Sequence, residues 1–183
     1  MKRFCWVVVV LLSASGCLIA QEFPKAEIFG GYSFVRASVS GSTTLNVNGL
    51  NVAATGNVNR LLGITVDFGQ QVGTCCSSTD YKFRSFLVGP QFTYRKHEKI
   101  TPFAHVLVGD ARFSSQLNPD VASLRYHENS LAVAFGGGVD VHLYSVLAVR
   151  LIQLDDYMTG FSKDRQNNLR LGFGIVLRLG QRQ

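Results

Sequence analysis

The sequence predicts an all-β fold, an eight-stranded antiparallel up-and-down transmembrane β-barrel that follows a cleavable signal peptide. Three observations predict it: a period of two in the last segment, the recurrence of that period upstream, and the absence of any segment of helical period. In Leu169–Leu179 (LRLGFGIVLRL) every second residue is apolar, and the residues between are arginines, glycines and one valine. Such alternation predicts a strand with one apolar face. Its recurrence with charges and glycines on the other face predicts lipid outside and a polar lumen inside.

The amino terminus has the pattern of a bacterial export signal. Lys2 and Arg3 precede an apolar run, Trp6–Leu12, and small residues follow as far as Ala20. The run is too short to cross a bilayer as a helix. We expect residues 1–20 to be a signal peptide of the general secretory pathway, cut after Ala20, and residues 21–183 to form the barrel domain. A lipoprotein site with Cys17 acylated is the alternative.

Charge and cysteines exclude several classes of protein. The formal net charge is +6, but the basic residues are scattered singly and do not interleave with aromatics, so nucleic-acid binding is not expected. Cys5 and Cys17 belong to the leader. Cys75 and Cys76 are adjacent, which does not match zinc-ligand spacing. We expect them in a loop, either bonded to each other or free.

Eight segments are candidate strands, and their connections alternate in length. The predicted strands are 26–36, 47–56, 61–70, 81–95, 102–113, 130–143, 147–157 and 168–179. The predicted long connections are Ala37–Asn46, Gln71–Asp80, Ser114–Asn129 and Met158–Asn167, and the others are tight. This alternation places all long loops at one end of the barrel, as in outer-membrane barrels with periplasmic turns and extracellular loops.

Two strands depart from simple alternation. In the seventh, Leu151 lies opposite Arg150, but Ile152 and Leu154 then fall on the side of Arg150. This predicts a bulge, or a strand end that projects beyond the lipid. The fourth strand has the same difficulty near Lys82 and Arg84.

The alternation also predicts which charges face the lumen. The expected lumen set has three acids and three bases: Glu27, Asp67, Asp140, Arg150, Arg170 and Arg178. An eight-stranded barrel is just wide enough for side chains to fill, so these charges should be paired. Asp140 and Arg150 flank the sixth turn, and Glu27 and Arg178 should meet where the barrel closes. The structural interpretation is a lumen plugged by these pairs, and the alternative is a narrow gated pore.

No catalytic or cofactor-binding pattern stands out. The four histidines lack metal-ligand spacing, and the glycines of 136–138 lie within a strand instead of before a helix. His127 with Glu128 and Ser123 could imitate a lipid-modifying site, but a solvated loop is the better interpretation. We therefore expect no enzyme activity, cofactor or metal. The expected interfacial aromatics are Tyr32, Phe34, Phe68, Phe92, Tyr94, Tyr157 and Phe173.

Three segments resemble the small outer-membrane β-barrel family, of the OmpA transmembrane-domain and OmpX type. They are Glu27–Val35 (EIFGGYSFV), Gly136–Asp140 (GGGVD) and the final strand. Within that strand, Arg170, Gly172, Ile175 and Leu177 are similar to the family's carboxyl-terminal assembly signal. The family's terminal aromatic residue is missing, because the chain ends in Leu179–Gln183.

The resemblance implies a location, partners and a role. It implies the outer membrane of a Gram-negative bacterium, with barrel-assembly machinery and periplasmic chaperones as partners during biogenesis. The first hypothesis is a monomer with a structural or surface-interaction role, in contact with outer-membrane lipid and lipopolysaccharide. The second is a small pore for ions or modest solutes. A soluble periplasmic barrel of lipocalin type is the third, and it would need an apolar interior.

Overall fold

The computed structural model describes residues 23–39, 43–75, 79–97, 99–117, 125–159 and 166–182. They form eight strands: β1 (Phe23–Val39), β2 (Thr43–Asn57), β3 (Leu62–Cys75), β4 (Thr79–Thr93), β5 (Ile100–Leu117), β6 (Arg125–Tyr144), β7 (Leu147–Thr159) and β8 (Gln166–Arg182). Across these residues, no helix has the length and apolar character needed to cross a membrane.

The strands close into one antiparallel barrel. Each strand pairs with the next along the chain, and β8 pairs back onto β1, where Gly31 lies opposite Gly174. The predicted fold class is therefore confirmed. We call the end at which β1 begins and β8 ends, with connections 58–61, 94–99 and 145–146, the turn end. The opposite end, with connections 40–42, 76–78, 118–124 and 160–165, is the loop end.

The period of two in the sequence corresponds to strand residues that alternate between the outer wall and the lumen. In β8, Leu171, Phe173 and Ile175 are exposed on the outer wall, whereas Arg170 and Val176 are buried in the lumen. β3 follows the same rule, with Phe68 outside and Asp67 inside. An apolar wall around a polar interior is the inverse of a soluble barrel.

The irregularity predicted in β7 is a β-bulge. Pairing with β8 shifts between Arg150 and Gln153, and pairing with β6 shifts between Val139 and Asp140. Leu151 and Ile152 consequently both point outward. A bulge re-aims the side chains that follow it. Every odd-numbered residue of β7 beyond the bulge therefore faces the lumen.

One predicted aromatic position is wrong because of the bulge. Tyr157 was expected in an interfacial girdle, but it is 1% exposed and lies inside the barrel. Simple alternation from Arg150 places it outside, and the extra residue at Leu151 reverses that assignment. Tyr32 and Phe34 do lie on the outer wall, where their rings meet edge to face.

The long loops expected from the sequence are largely strand. β1 continues to Val39 and β2 begins at Thr43, so that only 40–42 lie between them. At β5 and β6 the ladder likewise continues to the pair Gln116–Arg125. These stretches are mostly polar in sequence and lack the apolar alternation that marks a strand. Beyond the apolar band both faces meet water, so a strand there needs no such alternation.

Candidate functional site: the barrel lumen

The structure places all six predicted lumen charges on the inner face of the barrel. Glu27, Asp67, Asp140, Arg150 and Arg170 are each no more than 8% exposed. The Arg178 side chain is 16% exposed at the turn end. Two further charged residues, Arg95 and Asp155, join them. The described interior therefore holds four carboxylates and four guanidinium groups.

Arg150 is held from four directions. Its Nε and Nη2 donate to the Oδ1 and Oδ2 atoms of Asp140 at 2.8 and 3.1 Å, and its Nη1 donates to Oε1 of Gln153 at 2.8 Å. The rings of Phe29 and Phe103 cover the guanidinium, with centroids 4.3 and 4.1 Å from Cζ. The bidentate pair and two stacked rings use the planar geometry that distinguishes arginine from lysine.

Inward-facing glycines make room for these two rings. A Cβ added at Gly174 would lie 2.9 Å from the Phe29 ring, and one at Gly138 would lie 2.9 Å from the Phe103 ring. Both glycines also approach the backbone of a neighbouring strand too closely for a side chain. The glycines on the polar face of β6 and β8 thus have a packing role: they admit the aromatic groups that sandwich Arg150.

A second arginine occupies the middle of the lumen. Nη1 and Nη2 of Arg170 donate to the Oδ1 and Oδ2 atoms of Asp67 at 2.8 and 3.2 Å. Its Nε donates to Oδ2 of Asp155 at 2.8 Å, and its Cζ lies 4.8 Å from the centroid of the Tyr157 ring. The Arg170 side chain is 1% exposed. Two carboxylates thus neutralise one fully buried guanidinium.

Asp155 and Gln153 join the two arginine clusters into one network. Nε2 of Gln153 donates to Oδ2 of Asp155 at 2.8 Å, while its carbonyl accepts from Arg150. Nε2 of His105 lies 2.7 Å from the other Asp155 oxygen, Oδ1. We call this set the central network: Asp67, His105, Asp140, Arg150, Gln153, Asp155 and Arg170. Its hydrogen bonds satisfy each buried charge, as burial in a narrow interior requires.

A third arginine group closes the turn end. Nη2 of Arg95 lies 2.9 Å from Oε2 of Glu27, and Nε of Arg178 lies 3.8 Å from Oε1 of the same carboxylate. Glu27 and Arg178 are directly opposite each other at the β1–β8 seam. Nδ2 of Asn57 also donates to Glu27, at 3.4 Å. Burial lowers the pKa of the Arg95 guanidinium, and the charge of Glu27 opposes that shift.

An apolar cluster fills part of the lumen toward the loop end, beside buried polar side chains such as Ser33 and Gln71. We call it the apolar plug: Phe83, Leu87, Leu107, Ala111, Ala132, Ala134 and Tyr157. Leu87 and Leu107 are 0% exposed. The Tyr157 ring belongs to both layers, because Cζ of Arg170 lies over its face and its contact with the Phe83 ring is T-shaped. The expectation of a lumen closed by charges is thus incomplete, since aliphatic and aromatic side chains also fill it.

Several functional residues were not identified from the sequence. Asp155 and Gln153 were not assigned to either face, because the predicted bulge could not be located to the residue. His105 lies in a stretch where both faces are apolar, so periodicity could not orient it. Arg95 could have been found, because it shares its parity with the inward-facing Gln91 and Thr93.

The other candidate residues either lie outside the described side chains or have roles that stay predictions. Cys76 is outside the described residues, as is the side chain of Cys75, so the disulfide stays a prediction. The same holds for the side chains of Ser123, His127 and Glu128. Gly172, Ile175 and Leu177 lie in β8 beside Arg170, and their role as an assembly signal also stays a prediction.

The described residues contain no group of three or more His, Cys, Asp or Glu side chains that could hold a metal ion.

Similar solved structures share this architecture. Neisserial surface protein A matches with a TM-score of 0.72 and 14% identity, over 87% of this chain and 99% of that one. The attachment invasion locus protein Ail of Yersinia pestis matches with a TM-score of 0.59 and 18% identity, over 85% and 99%. The chain has the fold of the small outer-membrane β-barrels. The amino-terminal barrel domain of Pseudomonas aeruginosa OprF is also similar, with a TM-score of 0.54 and 10% identity over 86% of this chain and all of that one. No family model and no curated protein matches the sequence.

The resemblance found in the sequence is therefore confirmed at the level of the fold. The role of the lumen follows from its own geometry.

The pair of Asp140 and Arg150 can be tested by a double-mutant cycle. Arg150→Met should lower the free energy of unfolding by about 3 to 5 kcal/mol, because it leaves Asp140 buried without its cation. The double variant Asp140→Asn with Arg150→Met removes both charges and should recover much of that loss. Urea unfolding in detergent micelles, followed by far-UV circular dichroism, measures both. Losses that simply add would contradict the pairing.

The packing role of the lumen glycines predicts a large difference between two neighbouring positions. Gly174→Ala should cost about 1 to 3 kcal/mol, because its methyl group would collide with the Phe29 ring and the backbone of β1. Gly30→Ala is the matched control, since its Cβ would meet nothing within 4 Å on the outer wall. It should change stability by less than about 0.5 kcal/mol. The same unfolding measurement compares them, and equal effects would count against the packing role.

Proposed function

We propose that this protein is an outer-membrane β-barrel of a Gram-negative bacterium with a structural or surface-interaction role. In this proposal residues 1–20 direct export through the general secretory pathway, and barrel-assembly machinery and periplasmic chaperones deliver the chain. It then resides as a monomer, with outer-membrane lipid and lipopolysaccharide as its contacts. We propose neither catalysis nor a cofactor.

The filled lumen carries this proposal. A transporter needs a polar path, whereas the described interior is occupied in three layers: the Glu27 group at the turn end, the central network, and the apolar plug. Each of the four guanidinium groups has a carboxylate partner within 4.0 Å. Breaking such buried pairs to open a path would expose uncompensated charge. The interior therefore favours a structural scaffold.

The outer wall supports membrane residence. Exposed apolar side chains cover it on every strand, and Leu50, Phe86, Phe135, Leu151 and Ile175 are each at least 44% exposed. A continuous apolar surface of this kind is unstable in water and stable in lipid. A soluble barrel of lipocalin type would need these two faces exchanged.

A role at the cell surface is supported by one of the similar structures. Ail of Yersinia pestis has been solved in complex with the heparin analogue sucrose octasulfate, with a TM-score of 0.60 and 19% identity to this chain. A barrel of this fold thus binds a highly charged carbohydrate. We propose that the loop end of the present chain faces outward.

Membrane residence predicts unequal tolerance on the two faces of β8. Ile175→Arg should cost about 2 to 4 kcal/mol near the middle of the bilayer. Gly172→Ser is the lumen control. It should lower the free energy of unfolding far less, because the nearest atom to an added Cβ is 3.7 Å away. Unfolding from lipid vesicles measures both variants. Equal tolerance would contradict a lipid-facing outer wall.

Conductance separates the scaffold from the alternative, a small gated pore. In planar bilayers the unmodified barrel should give no steady openings, because the lumen is filled. Arg150→Met should also stay silent, because the apolar plug lies in a separate layer. Steady ohmic openings of the unmodified protein would contradict the proposal. Openings only in a normally folded Arg150→Met variant would show that the charges act as a gate.

A further inference from the structure

Three cationic side chains stand together on the outer wall at the loop end. Lys82 and Arg84 of β4 and Arg112 of β5 are all exposed, and Arg84 lies directly opposite Arg112 in the ladder. We call them the β4–β5 cationic patch. The irregularity predicted near Lys82 and Arg84 is absent: β4 alternates without interruption along its described side chains and orients both residues outward.

The placement of Arg84 opposite Arg112 destabilises the barrel itself. Like charges directly opposite each other on antiparallel strands are destabilising. Among the described residues, neither Arg84 nor Arg112 forms an ion pair with a carboxylate. Nε of Arg112 donates to Oδ1 of Asn129 at 2.7 Å, which holds the side chain without neutralising it. The nearby Asp110 lies opposite Phe86, one outward position toward the apolar band. The patch therefore retains net positive charge.

The residues next to the patch indicate what kind of anion would bind. On the turn-end side, the outward positions that follow Arg84 are Phe86 and Val88, at 56% and 41% exposure. Val108 on β5 and Phe68 on β3 lie beside them, opposite Val88 and Phe86 respectively. The patch thus marks the border of the apolar band. A ligand that fits both surfaces has an anionic head and an apolar tail.

We propose that the β4–β5 cationic patch binds the phosphate groups of lipopolysaccharide in the outer leaflet, with acyl chains along the apolar residues below it. Cα atoms of directly opposite residues are about 5 Å apart. One phosphate can therefore accept hydrogen bonds from both arginine forks, while Lys82 adds a third charge. The bound phosphate also removes the repulsion between Arg84 and Arg112. This inference rests on the proposed residence in the outer membrane.

The test compares affinity for diphosphorylated lipid A in micelles between the folded barrel and two variants. Arg84→Gln with Arg112→Gln should raise the apparent Kd at least about tenfold, because it removes two charge-assisted phosphate contacts. Arg36→Gln is the matched control: Arg36 is also exposed on the outer wall toward the loop end, but it lies opposite Asn46 and Leu169. It should change the Kd less than twofold. Fully dephosphorylated lipid A should bind the unmodified barrel as weakly as the double variant binds the diphosphorylated form.

Thermal unfolding is a second measurement, and it distinguishes a loss of lipid A binding from a folding defect. Without lipid A, the double variant should unfold at the same or a higher temperature than the unmodified barrel, because a repulsion has been removed. With lipid A, the unmodified barrel should gain more thermal stability than the variant.

Equal affinity of the double variant and the unmodified barrel would overturn the assignment. So would an equal loss in Arg36→Gln, or undiminished binding of the dephosphorylated lipid. Failure of the proposed function would be seen elsewhere, as release of the unmodified protein by osmotic shock without detergent.

Discussion

Side chains fill the lumen, so a guanidinium buried there needs a carboxylate partner inside the barrel. This constraint determines the rest of the structure. Arg170 meets it with two aspartates from β3 and β7, and Arg150 meets it with Asp140 across the β6–β7 ladder. The desolvation cost of such ions exceeds their attraction unless the remaining donors and acceptors are also satisfied. Gln153 and Asp155 supply those bonds, so the bulge that turns them inward is part of the electrostatic balance.

The same constraint explains the composition of the inner face. Two rings stack on Arg150 from β1 and β5, and inward-facing glycines leave the space that these rings need. Toward the loop end, where no guanidinium has to be neutralised, leucine, alanine and phenylalanine fill much of the lumen together with uncharged polar side chains such as Gln71. Tyr157 connects the two regions, because its ring packs in the apolar plug while its hydroxyl lies 3.3 Å from Oγ of Ser85. Arg84 and Arg112, which have no carboxylate partner among the described residues, instead lie on the outer wall, where an external anion can reach them.

Periodicity alone could predict the barrel and four of the seven residues of its central network. Asp140 and Arg150 flank a tight turn on the polar face, so their parity and symmetry predicted that they lie opposite each other. Asp155 could not be assigned in this way, since one extra residue at Leu151 reverses the facing of everything beyond it. Leu87 and Val88 show a second limit: both are apolar, so hydropathy does not tell which of them fills the lumen. The strand extensions toward the loop end were missed because a strand in water on both faces carries no apolar period.

Arg150 and Arg170 of the central network are buried and hydrogen-bonded at every guanidinium nitrogen, and exchange of their side-chain Nε protons tests this most directly. In a micelle-bound sample transferred to deuterated buffer, the Nε–H signals of Arg150 and Arg170 should persist in nuclear magnetic resonance spectra, because both protons are donated to buried carboxylates. The Nε–H signal of the exposed Arg84 should vanish at once. Loss of all three signals at the same rate would mean that water passes freely through the lumen, and it would contradict the account.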